Sequence, residues 1–232
     1  NDIGPGGDVA LIRVLAGMTS LVELDLADNR IKGDRAMECI VSCIANNTGL
    51  KRLNLRGNSL TFSHGLLLHD VLKGCPEMAD ACGLPMQALR DMDSLQDLDL
   101  QNKGMGSVEA ALAIEALKTN TSVTRLDISG MSMGHVGAVQ LVSLLSANTT
   151  LTNLDMRNNL LSYEDGKILV PCLEREGCNL RTISGIPLAR LREGSMAELS
   201  LRSMGCGPAE GAIAISVLGR CTALVKLSLF GA

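Results

Sequence analysis

The sequence predicts an α/β solenoid in which short parallel strands alternate with helices. Three observations carry this. A strand-like motif, LxxLxLxxNxL, recurs at nearly constant spacing along the 232 residues. Most copies are followed by an apolar stripe of helical period. The interior also has to be filled almost without aromatics. Apolar residues make up 46% of the chain, yet aromatics reach only 1% (Phe62, Tyr163 and Phe230), so Leu, Ile, Val, Ala and Met must do the packing. That composition suits many similar small layers better than one large core.

The units follow in order. "LVELDLADNRI" starts at Leu21, "LKRLNLRGNSL" at Leu50, "LQDLDLQNKGM" at Leu95 and "VTRLDISGMSM" at Val123. "LTNLDMRNNLL" starts at Leu151, "MAELSLRSMGC" at Met196 and "LVKLSLFGA" at Leu224, with degenerate copies at Met78 and Leu180. The spacings are 29, 28, 17, 28, 28, 29, 16 and 28 residues. Alternating apolar positions such as Leu24-x-Leu26 fit a short strand with one buried face. In the long units a helical stripe follows, as in Ala138, Leu141, Val142 and Leu145. Polar clusters, "NNTG", "TNTS" or "ANTT", then end the helix. Strand, helix and strand in the same sense make a right-handed parallel coil. Stacked coils bury each other's apolar faces.

Two units are short, and they reveal a larger period. "ACGLPMQALRD" (Ala81 to Asp91) matches "ISGIPLARLRE" (Ile183 to Glu193), shifted by 102 residues, while Phe62 matches Tyr163 and Leu50 matches Leu151, 101 apart. The chain therefore reads as a higher-order repeat of three long units and one short, helix-less unit. Pro85 and Pro187 restrict the backbone just after each short strand. The short units are expected to thin the helical side locally and to alter curvature.

These motifs resemble leucine-rich repeats, specifically the long helical subtype shared by ribonuclease inhibitor, Ran GTPase-activating protein and NOD-like receptors. The resemblance covers essentially the whole chain and implies a horseshoe with about nine strands in a single domain, 1–232, the parallel sheet lining its concave face and the helices its convex face. The Asn of the consensus is present at Asn29, Asn58 and Asn159, but Lys103, Met131 and Met204 replace it elsewhere. Where present, its amide can bracket the adjoining loop; elsewhere looser turns are expected. Asn1-Asp2-Ile3 aligns with Asn29-Arg30-Ile31, and Ala232 falls just as another strand finishes. Both ends thus fall inside a repeat, and the chain reads as an uncapped fragment of a longer array.

Several functions find no support in the residues. A net charge of −4 argues against nucleic acid. No run approaches the roughly 18–20 apolar residues that would span a bilayer, so no membrane insertion is expected. The amino terminus lacks signal-peptide character. The eight cysteines form no CxxC pair, and the three histidines (His64, His69 and His135) supply no zinc spacing. Small apolar cysteines point to the cytoplasm or another reducing intracellular compartment. "GPGG" (Gly4 to Gly7) sits at a repeat turn, not in a phosphate loop. The sequons at Asn46, Asn120 and Asn148 fall in helix-to-strand turns that recur by repeat logic. No cofactor, metal or catalytic set is expected.

What remains is a binding face. Strand positions 3, 5 and 7 are expected to project from the concave sheet, giving Glu23, Arg52, Asp97 and Arg125, then Asp99, Asp127 and Asp155, then Arg56, Arg157 and Arg202. Cys82 and Ser184 occupy position 5 of the short units. Leu84 and Ile186 hold position 7 there, each followed by proline. They are either exposed anchors for a partner or core residues folded inward where the helix is missing. The reading is a non-enzymatic scaffold that binds other protein chains, part of a larger assembly, with no small-molecule ligand expected. Two alternatives stay open: a GTPase-activating regulator of the Ran type, and a sensor or inhibitor ligand-binding domain.

Overall fold

A computed structural model describes residues 10, 13–15, 17–91, 95–194, 196–202, 204–219 and 221–228. The alignment at Asn1–Ile3, the "GPGG" turn and Phe230 lie outside the described residues. Strands and helices alternate as β1 (Glu23–Asp25), α1 (Asp34–Ala45), β2 (Arg52–Asn54), α2 (Phe62–Leu72), β3 (Asp80–Ala81), β4 (Leu84–Pro85) and α3 (Met86–Arg90). They continue as β5 (Asp97–Asp99), α4 (Ser107–Leu117), β6 (Arg125–Asp127), α5 (Gly134–Ala147), β7 (Asn153–Asp155) and α6 (Tyr163–Glu174). The last are β8 (Thr182–Ile183), α7 (Leu188–Arg192), β9 (Glu198–Ser200), α8 (Pro208–Leu218) and β10 (Lys226–Ser228). Each of the nine motif copies contains a strand. Among the described residues the fold is mixed α/β with no closed barrel.

The strands form three sheets, β1-β2-β3-β4, β5-β6-β7-β8 and β9-β10. Pairing is parallel throughout except between β3 and β4. The chain divides into two compact units, Asn1–Leu95 with Asn102–Asn120, and Gln96–Gln101 with Thr121–Ala232. In the first, Leu24, Leu53 and Ala81 stand in register and are buried; in the second, Leu98, Leu126, Leu154 and Ile183 do the same. Among the described residues no helix is long and apolar enough to cross a membrane.

The helical stripe is shifted slightly from its expected position. Ala138, Leu141, Leu144 and Leu145 are buried in α5, while Val142 flanks them half-buried. The consensus asparagines bracket loops as their amides allow. Asn159 Nδ2 donates to Ile128 O (2.7 Å) and Met156 O (2.9 Å), and its Oδ1 accepts from Met131 N (2.9 Å). Asn58 bonds Leu26 O and Leu55 O and accepts from Ile31 N. One amide therefore serves its own turn and the preceding one. Met131 stands where the consensus has Asn, yet it is buried and its N–H is held by Asn159, so this turn is not looser. Asn120 and Asn148, expected as sequons, are buried; Asn120 Nδ2 donates to Leu89 O and Asn148 Oδ1 accepts from Leu151 N. Asn46 is exposed.

The short units are not helix-less. Each holds a helix of five residues, α3 or α7. Ahead of it, Cys82 and Gly83 both have positive φ (55° and 85°), as do Ser184 and Gly185 (48° and 83°). Two successive left-handed residues make the tight turn of a hairpin. The backbone of Ile186 pairs antiparallel with Ile183, and that of Leu84 with Ala81. The turn carries Cys82 and Ser184 into the interior, both at 0% exposure, and not onto the sheet face. It buries Leu84 and Ile186 completely as well. The inward reading of these two residues is therefore the one the structure supports, and as exposed anchors they are withdrawn.

Closing the gap left by a short helix takes two further devices. In one unit α2 packs directly on α4, and in the other α6 packs directly on α8. Gly65 and Gly166 permit this approach. A Cβ on Gly166 would lie 2.3 Å from Ala209 O and 2.8 Å from Ala212 Cβ; one on Gly65 would lie 2.7 Å from Val108 O and 2.6 Å from Ala111 Cβ. Then Arg90, from α3, fans its guanidinium over Leu72 O, Cys75 O and Pro76 O at 3.0–3.2 Å. Arg192, from α7, does the same with Leu173 O and Leu180 O. The last carbonyls of a helix have no intrahelical donor, and these arginines supply one.

A polar pair also crosses between adjacent helix starts, with its partners exchanged over the 101-residue period. His64 Nε2 meets Asp34 Oδ1 at 3.0 Å, and His135 Nδ1 meets Asp165 Oδ1 at 2.6 Å. Thr61 N donates to His64 Nδ1, and Ser162 N donates to Asp165 Oδ2, so His and Asp alternate as the capping residue. Burial pushes the Asp165 carboxyl upward, but hydrogen bonds from His135 and Ser162 outweigh it and hold the group below the usual carboxylate range. A depressed folded-state value means stability that is present above the unfolded carboxylate range and lost as pH falls through the folded one. Asp165→Asn is expected to cost about 1–2 kcal/mol near neutral pH. The gap to wild type should shrink below roughly pH 4. Denaturant melts of both proteins between pH 7 and 3 check this; a gap independent of pH would count against the assignment.

Candidate functional site

Each strand is three residues long or shorter, and the central residue of β1, β2, β5, β6, β7 and β9 points inward, while Leu227 of β10 is exposed. The flanking positions therefore face outward, and position 3 carries charge. In the first unit Glu23, Arg52 and Asp80 stand in register, and Arg52 Nη2 lies 2.7 Å from Glu23 Oε2. In the second, Asp97, Arg125, Asn153 and Thr182 stand in register, with Arg125 Nη1 3.7 Å from Asp97 Oδ2 and Asn153 Nδ2 donating to Thr182 Oγ1. Lys226 and Glu198 pair at 3.4 Å. The side chains of Glu23, Arg52, Asp97 and Arg125 are 55–67% exposed. The Glu23 hydrogen bond pushes the Arg52 guanidinium further up, so it stays charged. Pairs this open contribute little to folding. Their charges can be handed to a partner at small cost.

The position-5 row serves a different purpose. Asp25, Asp99, Asp127 and Asp155 each accept a hydrogen bond from the backbone N–H two residues on, at 2.9–3.1 Å, and Asn54 does so at 3.3 Å. This is an Asx turn, and it ends the strand. Asp127 also takes the Ser129 hydroxyl. The carboxylates Asp99, Asp127 and Asp155 do stand in register on the face, bordering a cavity of about 350 Å³. Their presence is explained by turn chemistry before any ligand is invoked.

Position 7 is likewise committed in part. Arg157 grips Asp155 through Nε (2.9 Å) and Nη2, which pushes its guanidinium up, and Nη1 donates to Met204 O at 2.6 Å. Arg56 donates from Nε to Asn54 Oδ1 and from Nη1 to Lys103 O, both at 3.4 Å. Each arginine reaches past a short unit to the turn that follows it. Arg202 is exposed. Of the expected face residues, then, Glu23, Arg52, Asp97, Asp99, Arg125 and Arg202 are open to solvent. Asp127, Asp155, Arg56 and Arg157 are half-buried and engaged, and Leu84 and Ile186 are core.

The reactive side chains do not converge. Among the described residues no group of three His, Cys, Asp or Glu side chains could hold a metal ion. All eight cysteines are free. Burial pushes the Cys43, Cys75 and Cys206 thiols up. Cys82 is raised to about 12 by burial and then by Glu109, which removes the thiolate needed for nucleophilic attack. Glu109 is itself raised by burial, although Gly106 N donates to it at 2.7 Å; its counterpart Glu210 accepts from Gly207 N and from the Ser184 hydroxyl. Both acids cap helices. The roles of Gly65, Gly166, Arg90, Arg192, Glu109 and Glu210 were missed by reading single repeats. Setting residue i beside residue i + 101 or i + 102 pairs each with its twin.

No protein-family model matches the chain, and no curated protein matches it. Among solved structures the chain is similar to "Leiomodin-1 Actin-Binding Site 2 (ABS2)" at 14% identity, over 97% of this chain and 80% of that one, with a TM-score of 0.25. A likeness at that score carries no argument about fold or partner.

Proposed function

We propose that the chain is a leucine-rich-repeat solenoid of the ribonuclease-inhibitor-like type that acts as a non-enzymatic protein-binding scaffold, its partner docking on the exposed sheet face of each unit. The observation that carries this is the position-3 row. Opposite charges stand in register on adjacent strands, well exposed and weakly held, while the neighbouring acids are already committed to turns. A partner of complementary charge pattern can replace the Glu23–Arg52 and Asp97–Arg125 pairs without disturbing the fold. The consensus motif at seven positions, its two degenerate copies and the parallel pairing of the strands support the repeat reading. Eight free cysteines support a reducing intracellular compartment.

The test is affinity capture by the whole chain, with quantitative mass spectrometry. Proteins retained by the wild type should be lost with Arg52→Glu or Arg125→Glu and kept with Lys167→Glu on the helical side. Exposed charge reversals of this kind should leave stability within about 0.5 kcal/mol. Retention by both sheet-face variants, with loss on Lys167→Glu, would remove the basis for the reading.

A further inference from the structure

The short helix α3 leaves a cavity of about 620 Å³ between α2 and α4, within one compact unit. Its apolar lining is Pro76 and Ala116, with the buried Leu72, Met86 and Leu89 beneath them. Its rim carries Lys73, Arg90 and Lys118 against a single carboxylate, Glu115. His69 also lines it, and the ring Nδ1 is buried with no hydrogen-bond partner among the described residues. The other unit has the same construction over α7, bordered by Leu173, Leu191 and Arg192, with about 270 Å³.

The comparison between the two grooves is informative because the fold repeats while the chemistry does not. Leu72, Leu89 and Arg90 recur as Leu173, Leu191 and Arg192. His69, Lys73 and Lys118 become Val170, Glu174 and Gly219. Packing and helix capping account for the shared residues; in this groove Lys73 and Lys118 pair with Asp70 and Glu115, and the imidazole Nδ1 is left without a partner among the described residues. The volume lies within the range of small-ligand pockets, which pair apolar walls with a few polar groups.

We propose that the α2–α3–α4 cavity binds an anionic amphiphile, a single carboxylate on an apolar chain. The chain lies against Pro76 and Ala116, above the buried Leu72, Met86 and Leu89, and the carboxylate faces Lys73 and Lys118. This site is on the helical side and is independent of the sheet face. It also departs from the sequence-based expectation that no small-molecule ligand is taken. Lys73 rests on Asp70 (2.7 Å) and Lys118 on Glu115 (2.5 Å), so an incoming carboxylate shares cations that are already positioned. Burial and the neighbouring Lys73 and Lys118 push the His69 imidazolium below its ordinary range, against the opposing pull of Glu115 and Asp70. Arg90 faces the same space, with its guanidinium engaged by carbonyls.

The probes are decanoate, below its micelle concentration, and decanol. Calorimetry on the full chain should show saturable, one-site binding of decanoate and much weaker binding of decanol. Lys73→Glu and Lys118→Gly, which install the residues of the other groove, should each weaken decanoate about tenfold, the scale of one charge-assisted bond. Bound decanoate should raise the His69 pKa followed by NMR, since a nearby anion favours the imidazolium. Thermal melts of both variants report whether they remain folded. Equal binding of decanoate and decanol, decanoate binding unaffected by Lys73→Glu, or an unmoved His69 titration would each overturn the proposal.

Discussion

Gly166→Ala is expected to destabilise the protein by about 2–3 kcal/mol, the cost of forcing atoms into a close-packed contact. The sign makes the test sharp. In the interior of an exposed helix the same change stabilises by about 1 kcal/mol, because glycine has more backbone entropy to lose. At Gly166 the added carbon would lie 2.3 Å from Ala209 O and 2.8 Å from Ala209 Cα. These are main-chain atoms of α8, and no side-chain rotation relieves them. The only relief is to move α6 and α8 apart, which opens the layer above α7. Gly65→Ala should behave alike, with Val108 O at 2.7 Å. Denaturant melts of the two variants check the sign. A stabilised protein in both cases would mean that α2 and α6 do not rest on α4 and α8.

These glycines also mark how far the sequence could be read. Seven of the strands were legible because a three-residue strand with a leucine at its centre leaves a strong local signature, and the two-residue strands of the short units were legible from their spacing to these. The helices of the long units were legible from their stripes. What happens at a short unit is a relation between the helix before it and the helix after it, more than forty positions along, for which no local pattern exists. Gly65 alone is an ordinary helical glycine, and Arg90 alone is a surface arginine. Only the recurrence of the same residues at Gly166 and Arg192 exposes a shared task.

The face was legible in part, for a similar reason. Alternation places Glu23, Arg52, Asp97 and Arg125 outward, and they are outward. It also places Cys82 and Ser184 outward, and there the period fails, because two left-handed residues end the strand early and reverse the chain. A Cys-Gly or Ser-Gly dipeptide lacks the Asn or Asp that usually announces such a turn. The acid row illustrates the opposite error. Aspartates aligned across strands look like a ligand site, whereas each one first satisfies the N–H two residues on.

The fate of Leu84 and Ile186 gives the second large effect. Both side chains are fully buried behind hairpin turns, and both stand where the long units mostly carry a polar residue. Leu84→Ser and Ile186→Ser remove most of a buried apolar side chain and leave a cavity, at a cost of about 2–4 kcal/mol each. The introduced hydroxyl adds to this wherever it finds no partner. The Ile186 backbone exchanges bonds with Ile183 at 2.7 and 3.1 Å, so the hairpin itself can persist while its packing is lost. The expected result is a marked fall in denaturation midpoint for both variants. At temperatures where they remain folded, partner capture through Arg52 and Arg125 should be unchanged. Had these residues been surface anchors, the pattern would reverse, with stability retained and capture lost. That reversed pattern would require the hairpin turns at Cys82–Gly83 and Ser184–Gly185 to open, and with them the explanation of why the two short units interrupt the sheets.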